Sequence, residues 1–148
     1  MEYRIFDKKN PPKAALNLHV RSDQVTYLDT LDIILKDYQD LHQWKALSIH
    51  LDDEEKTMIG FAVVGQSGGE AWIDDIMIDK EHQGKGYGTR ALKDLIQELM
   101  LTYETNEIYL SCFKHNLHAL AIYEKLGFIK TDRLDINGEI ILVYNKQY

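Results

Sequence analysis

Cysteine and proline are nearly missing from this 148-residue chain, with one of the first and two of the second. The lone cysteine, Cys112, leaves no internal disulfide framework and no cysteine-based zinc cage, and it fits a reducing, cytoplasmic setting. Long apolar runs are missing as well. No stretch approaches the roughly 20 residues that a membrane helix needs, and the first residues carry no apolar signal-peptide region, so no membrane partner is expected. Basic charge is outweighed: 17 Lys and Arg stand against 24 Asp and Glu, a formal net charge of −7. Nucleic-acid binding rests on Lys and Arg against phosphates, so that class is excluded, while a cationic substrate suits the balance. Internal repeats and low-complexity linkers are absent too. What remains is an ordinary globular composition, 45% hydrophobic and 28% charged. It predicts a single domain over residues 1–148 with a core of its own.

The acidic excess is local. Between Arg21 and Glu55 there are nine acids against three bases, whereas Lys80, Lys85, Arg90 and Lys93 cluster in the middle of the chain. One part is therefore fitted to cations and another to anions. The elements follow from apolar spacing. Glu2–Asp7 reads as an opening strand, Pro11-Pro12 introduces a helical stretch to about Val20, and Leu28–Tyr38 predicts a second helix. Ala46–Leu51 and Met58–Gly65 form a hairpin across an acidic turn. Gln66–Glu70 is a loop with Gly68-Gly69 as its turn, and Ala71–Ile78 is the next strand. Leu92, Leu95, Ile96, Leu99 and Met100 make one apolar stripe on a helix over Thr89–Leu101. Glu107–Phe113 is a strand. Asn116 caps a helix that runs to Leu126 and stops at Gly127. Phe128–Leu134 and Ile140–Tyr144 pair through Asn137-Gly138. The fold class is α/β, a mixed sheet with helices on both faces.

Gln83-Gly84-Lys85-Gly86-Tyr87-Gly88 lies between an apolar strand and the striped helix. Its glycines let the backbone turn tightly and present bare N–H groups at a helix N-terminus, where the dipole favours an anion. A strand, glycine loop and helix in this order is built to hold a phosphate. The six histidines show no metal-ligand spacing, although His115 and His118 could share a site, and no metal is expected. Trp44, Trp72 and Phe61 are expected in the core, with Trp44 also a candidate to line a groove. Cys112 has no partnered base and reads as a small buried side chain.

Two segments together carry a family resemblance. The run from Gln83 to Gly88 resembles the Gln/Arg-x-x-Gly-x-Gly/Ala signature of the GCN5-related N-acetyltransferases, the GNAT superfamily. Asn116-Leu117-His118-Ala119, continued by Tyr123-Glu124-Lys125-Leu126-Gly127-Phe128, resembles that family's Asn-x-x-Ala-x-x-x-Tyr-x-x-x-Gly-Phe segment. The resemblance implies a mixed seven-stranded sheet flanked by about four helices. It also implies acetyl-CoA as co-substrate, its pyrophosphate held by amides within Gln83, Gly84, Lys85, Gly86, Tyr87, Gly88 and Thr89, and its pantetheine arm touched by Asn116.

On the same resemblance Tyr123 sits near the CoA sulfur and protonates the departing thiolate. Its phenol has a pKa of about 10, comparable to that of the thiol it makes. Asp74 is the base candidate for the amine proton, with Asp75 beside it. Successive strand residues face opposite ways, so the two carboxylates share one pocket only across a bulge. Amides at Met77 and Ile78 are candidates to polarise the thioester carbonyl.

The resemblance sharpens toward small bacterial spermine/spermidine N-acetyltransferases. It rests on Asn17-Leu18-His19-Val20, Asp23-Gln24, Tyr27-Leu28, Trp72-Ile73-Asp74 and Leu134-Asp135-Ile136-Asn137-Gly138-Glu139. Gln24, Tyr27 and Asp29 then flank the acceptor groove. The expected reaction is acetyl transfer to a primary amine of a polyamine by direct attack in a ternary complex. A protein N-terminus or an aminoglycoside as acceptor, and a non-catalytic acetyl-CoA sensor, are the alternatives. The C-terminal strands offer an edge at which two copies could pair as a homodimer.

Overall fold

The structure, a computed structural model, describes residues 1–16, 18 and 31–146. Seven strands are present among the described residues: β1 (Glu2–Phe6), β2 (Trp44–His50), β3 (Met58–Ser67), β4 (Glu70–Ile78), β5 (Glu107–Cys112), β6 (Ile129–Leu134) and β7 (Ile140–Asn145). The helices among the described residues are α1 (Lys13–Leu16), α2 (Leu31–Tyr38), α3 (Tyr87–Thr102) and α4 (Leu117–Leu126). The strands form one sheet in the order β1-β2-β3-β4-β5-β7-β6. Every neighbouring pair is antiparallel except β4 and β5. The mixed sheet expected from the sequence is therefore present. Parts of the two predicted early helices lie outside the described residues, as do Gln24, Tyr27 and Asp29.

β3 is buried along most of its length, as a central strand covered on both faces must be. Its side chains alternate between two cores. Phe61 and Val63 join Ala15, Leu35, Tyr38, Trp44 and Met77 beneath α1 and α2. Ala62 and Val64 join Leu92, Leu95, Ile96 and Leu99 of α3 and Leu120 of α4 on the other face. The stripe read from the α3 sequence is thus the stripe it buries.

Boundaries moved where glycine geometry decided them. Gly68 and Gly69 both take left-handed φ angles, 58° and 80°. They close a two-residue turn, so β3 runs on to Ser67 and β4 starts at Glu70 instead of leaving a longer loop. α3 begins at Tyr87, two residues before the predicted Thr89, because Gly86 at φ 83° serves as its N-cap. Asn116 and Gly127 cap α4 as predicted, the Asn116 side chain accepting from the Ala119 N–H at 3.2 Å.

Candidate active site

The site begins with a bulge. β3 and β4 pair Val63 with Asp75 and then Val64 with Ile73, leaving Asp74 as the extra residue on β4. A bulge turns its strand and resets which way side chains point. Trp72 and Met77 pack with the α1–α2 core, while Ile73 and Ile78 pack with the α3–α4 core. The parity change between them lies at Asp74, so Asp74 and Asp75 reach the same face. Tyr38, the last residue of α2, meets them there. Its hydroxyl donates to Asp74 Oδ2 and, at 2.8 Å, to Asp75 Oδ2.

The bulge also helps to open the sheet. β4 and β5 pair only at Ala71–Ile108 and Trp72–Tyr109, and beyond them the strands part. A cleft of about 1590 Å³ occupies the gap. It is lined from one face of the sheet by Tyr38, Trp44 and Asp75, and from the other by Leu92, Asn116 and Tyr123. Trp72, expected in the core, lines the cleft as well and stacks on Tyr109 with centroids 5.6 Å apart.

Gln83, Gly84, Gly86, Gly88 and Thr89 line the same cleft, while Lys85 and Tyr87 do not. Gly84 and Gly86 have φ angles of 76° and 83°, which side-chain-bearing residues adopt only with strain. No described side chain caps α3, which leaves its first amides available to a ligand. Gly88 differs. A Cβ there would meet only Ile78 Cγ1, at an ordinary 3.6 Å. The protein itself has room for an alanine at this position, and a ligand pressed against the helix start gives the bare backbone its purpose. The loop therefore fits a pyrophosphate.

Of the two amides proposed at the end of β4, strand alternation favours one. The Asp79 N–H donates to the Ile59 carbonyl at 2.7 Å, so the Met77 backbone also points to β3 and the Ile78 backbone points away from it. Ile78 keeps its place as a donor candidate on the cleft side, joined by Ile76, and Met77 contributes its side chain instead. The Gln83 side chain donates to the Ile78 carbonyl at 2.7 Å and ties the loop to the strand end.

Tyr123 projects from α4 into the cleft, its ring edge against Phe128 at 6.0 Å. Its hydroxyl makes no hydrogen bond to a described residue. Burial, then the neighbouring Cys112, Asp75 and Glu139, push its pKa up from the ordinary phenol value, so it keeps its proton. Cys112 is pushed up to about 11, chiefly by burial, and stays a thiol. The Asn116 carbonyl oxygen is used by the α4 cap, and its side chain lines the cleft.

Among the described residues six carboxylates line the cleft: Asp37, Glu70, Asp74, Asp75, Asp135 and Glu139. Against them stands one guanidinium, Arg133, already held by Glu70 at 2.7 and 2.9 Å. Burial raises the Asp74 pKa, the Tyr38 hydrogen bond lowers it, and the Asp135 charge raises it again. Glu139 is pushed up to about 8, first by burial, then by Asp135 through a hydrogen bond and its charge, with Asp75 and Asp74 adding to it. Asp135 is itself fastened, accepting from the Asn137 and Glu139 amides at 2.9 Å and from Ser111 Oγ at 3.2 Å. Asp37, Tyr38, Asp135 and Glu139 were not among the predicted site residues. The pair flanking Asn137-Gly138 was the available signal, because a tight hairpin sets such residues opposite each other. The Asp135 N–H donates to the Glu139 carbonyl at 2.9 Å.

Comparison with known proteins agrees with this geometry. The model of the acetyltransferase (GNAT) family matches residues 13–128. The spermine/spermidine N(1)-acetyltransferase of Bacillus subtilis (strain 168) is 36% identical over 138 residues, covering 88% of this chain and 89% of that protein. Among solved structures, a Bacillus subtilis acetyltransferase in complex with CoA superposes with a TM-score of 0.72 at 16% identity, covering 98% of both chains. Mutant forms of the spermidine/spermine N-acetyltransferase SpeG from Vibrio cholerae give 0.67 at 19% identity, over 97% of this chain and 93% of theirs. At those identities the two structures establish the shared fold.

Proposed function

The chain belongs to the acetyltransferase (GNAT) family, and from that premise we propose that it moves the acetyl group of acetyl-CoA to a primary amine of spermine or spermidine. The acid-lined cleft carries this reading. A polyamine holds several ammonium groups at neutral pH, each with a pKa of about 10. Among the described residues, six carboxylates opposed by Arg133, itself bound to Glu70, make a wall that attracts such a chain of cations. The Bacillus subtilis relative is named for those two substrates.

The chemistry divides across the sheet. Amides of the glycine loop and the start of α3 hold the pyrophosphate, and the side chain of Asn116 is placed for the pantetheine arm. Acetyl-CoA supplies an activated thioester. Asp74 takes one proton from the bound ammonium, directly or through a water, and leaves nitrogen with a free electron pair. That pair forms the C–N bond as the C–S bond breaks. Tyr123 gives its proton to the sulfur and regains one from the nitrogen, so the proton on Asp74 is the one finally released to solvent. A carboxylate beside an ammonium also holds the proton on nitrogen. Burial of Asp74 works the other way, making it a better proton acceptor than an exposed aspartate.

The test is release of CoA from acetyl-CoA with spermine, spermidine, putrescine, lysine, a basic peptide and an aminoglycoside. Saturable turnover on spermine or spermidine, weak on the rest, is the expected result. Preference for the peptide or aminoglycoside would replace the polyamine with that acceptor. Binding of acetyl-CoA without turnover on any amine would make the chain a sensor.

A further inference from the structure

Tyr38 is held from three sides, and none of the chemistry above uses it. Lys8 Nζ donates to the carbonyls of Tyr38, Leu41 and Trp44 at 2.5, 2.7 and 2.9 Å, closing the end of α2. The Trp44 ring meets the Tyr38 ring edge-on at 5.7 Å. The hydroxyl then faces two carboxylates at once, on the bulge that brings them to one side.

A buried phenol needs one acceptor, and any backbone carbonyl would serve. Here the acceptors are two carboxylates that also line the acid-walled cleft. The pair therefore meets whatever cation enters the cleft. We propose that Tyr38 is the positioning residue of the acceptor side of the cleft, its hydroxyl fastening Asp74 and Asp75 together as the pair that receives the incoming ammonium. The consequence for turnover rests on the acetyl-transfer reading; the coupling of the three side chains does not.

A hydroxyl that donates to a carboxylate stabilises its charged form. Tyr38 thus opposes the burial that drives Asp74 toward its neutral form, and keeps the pair charged when a cation arrives. Among the described residues, other titratable groups line the same cleft: Asp37 from α2, Glu70 from β4, Cys112 from β5, His115, His118 and Tyr123 at and along α4, Arg133 from β6, and Asp135 with Glu139 from the β6–β7 hairpin. Tyr38→Phe changes none of these charges and isolates the phenol, whereas Asp75→Asn also removes a charge felt by Tyr123 and Glu139.

Tyr38→Phe keeps the ring against Trp44 and removes only the oxygen. The Asp74 carboxyl midpoint, followed by carbon-13 NMR in the resting protein, should rise by about one pH unit, the size of one lost charge-assisted bond. In turnover of spermine, the acidic limb of kcat/KM should move up by the same amount. At neutral pH, KM for the amine should rise severalfold while acetyl-CoA affinity holds. Asp75→Asn has the opposite sign, because the Tyr38 proton then belongs to Asp74 alone and a neighbouring negative charge is gone. Its Asp74 midpoint should fall.

An unmoved Asp74 midpoint in Tyr38→Phe, with or without a lower melting temperature, would make Tyr38 a packing residue and overturn the proposal. Should that variant fail to fold, Asp75→Asn decides, a midpoint that does not fall being the overturning result. Absence of turnover in the wild type would remove the acetyl-transfer reading and leave the NMR titration to judge Tyr38.

Discussion

Tyr123 and Asp74 have opposite tasks, yet burial pushes both toward their proton-bearing forms. For the phenol this is an advantage, because an acid must arrive protonated. For the carboxylate it is useful only while something keeps it charged at neutral pH, and the Tyr38 hydroxyl lies where that is done. Tyr123→Phe removes the acid and nothing else. The ring contact with Phe128 at 6.0 Å is retained, and the hydroxyl has no described partner to lose. The expected outcome is a kcat about 100-fold to 10,000-fold lower, the usual range for a lost general acid, with acetyl-CoA affinity within about twofold. Steady-state CoA release and binding calorimetry check it; an unchanged kcat would take Tyr123 out of the reaction. That Tyr123 and Asn116 belong to one site was legible in the sequence through the segment from Asn116 to Phe128, which resembles the family's motif, and both line the cleft. Tyr38 and Glu139 were not, since their significance depends on side chains brought from three other segments.

At the scale of elements, helices were read more faithfully than strand contacts. The α3 stripe and the α4 caps are local, set by residues within a turn or two. The bulge at Asp74 is not local. It arises where β4 must pair with β3, and neither strand alone indicates which residue is extra. Alternation excluded a shared pocket for Asp74 and Asp75 unless such a bulge existed, and the pairing supplied it. The glycine loop combines both kinds of information. Gly86 is required by its own backbone, at φ 83°, whereas Gly88 has space for a methyl group 3.6 Å from Ile78. Gly88→Ala should therefore leave the melting temperature unchanged or slightly raised, alanine being the better helix former. Its acetyl-CoA affinity should nevertheless fall by about tenfold, the loss of one charge-assisted amide contact to phosphate. Thermal unfolding and calorimetry on the same sample separate the two effects. Equal acetyl-CoA affinity in wild type and variant would move the pyrophosphate away from α3.

Over the whole molecule, charge and shape have been divided between two faces of one sheet. The α3–α4 face presents amides and a protonated phenol, the α1–α2 face presents carboxylates, and the gap between β4 and β5 joins them. A chain of net charge −7 that gathers acids in a partly buried cleft gives up stability for binding. Glu139 shows where. Its pKa is raised from the ordinary 4.5 to about 8, so folding favours its neutral form. A carboxyl shifted in this direction contributes stability fully below its ordinary pKa, and that contribution is lost as pH rises through the folded value. The melting temperature of the protein should accordingly decline between about pH 5 and pH 9. Glu139→Gln, which cannot ionise, should flatten that decline, with the largest gain over wild type at the alkaline end. Spermine should act in the same sense, since a cation beside Glu139 favours its ionised form and pulls the pKa back down. Thermal unfolding across that pH range, with and without spermine, measures both. If the wild type and Glu139→Gln decline in parallel, Glu139 does not ionise under strain, and the alkaline instability belongs to other members of the acidic wall.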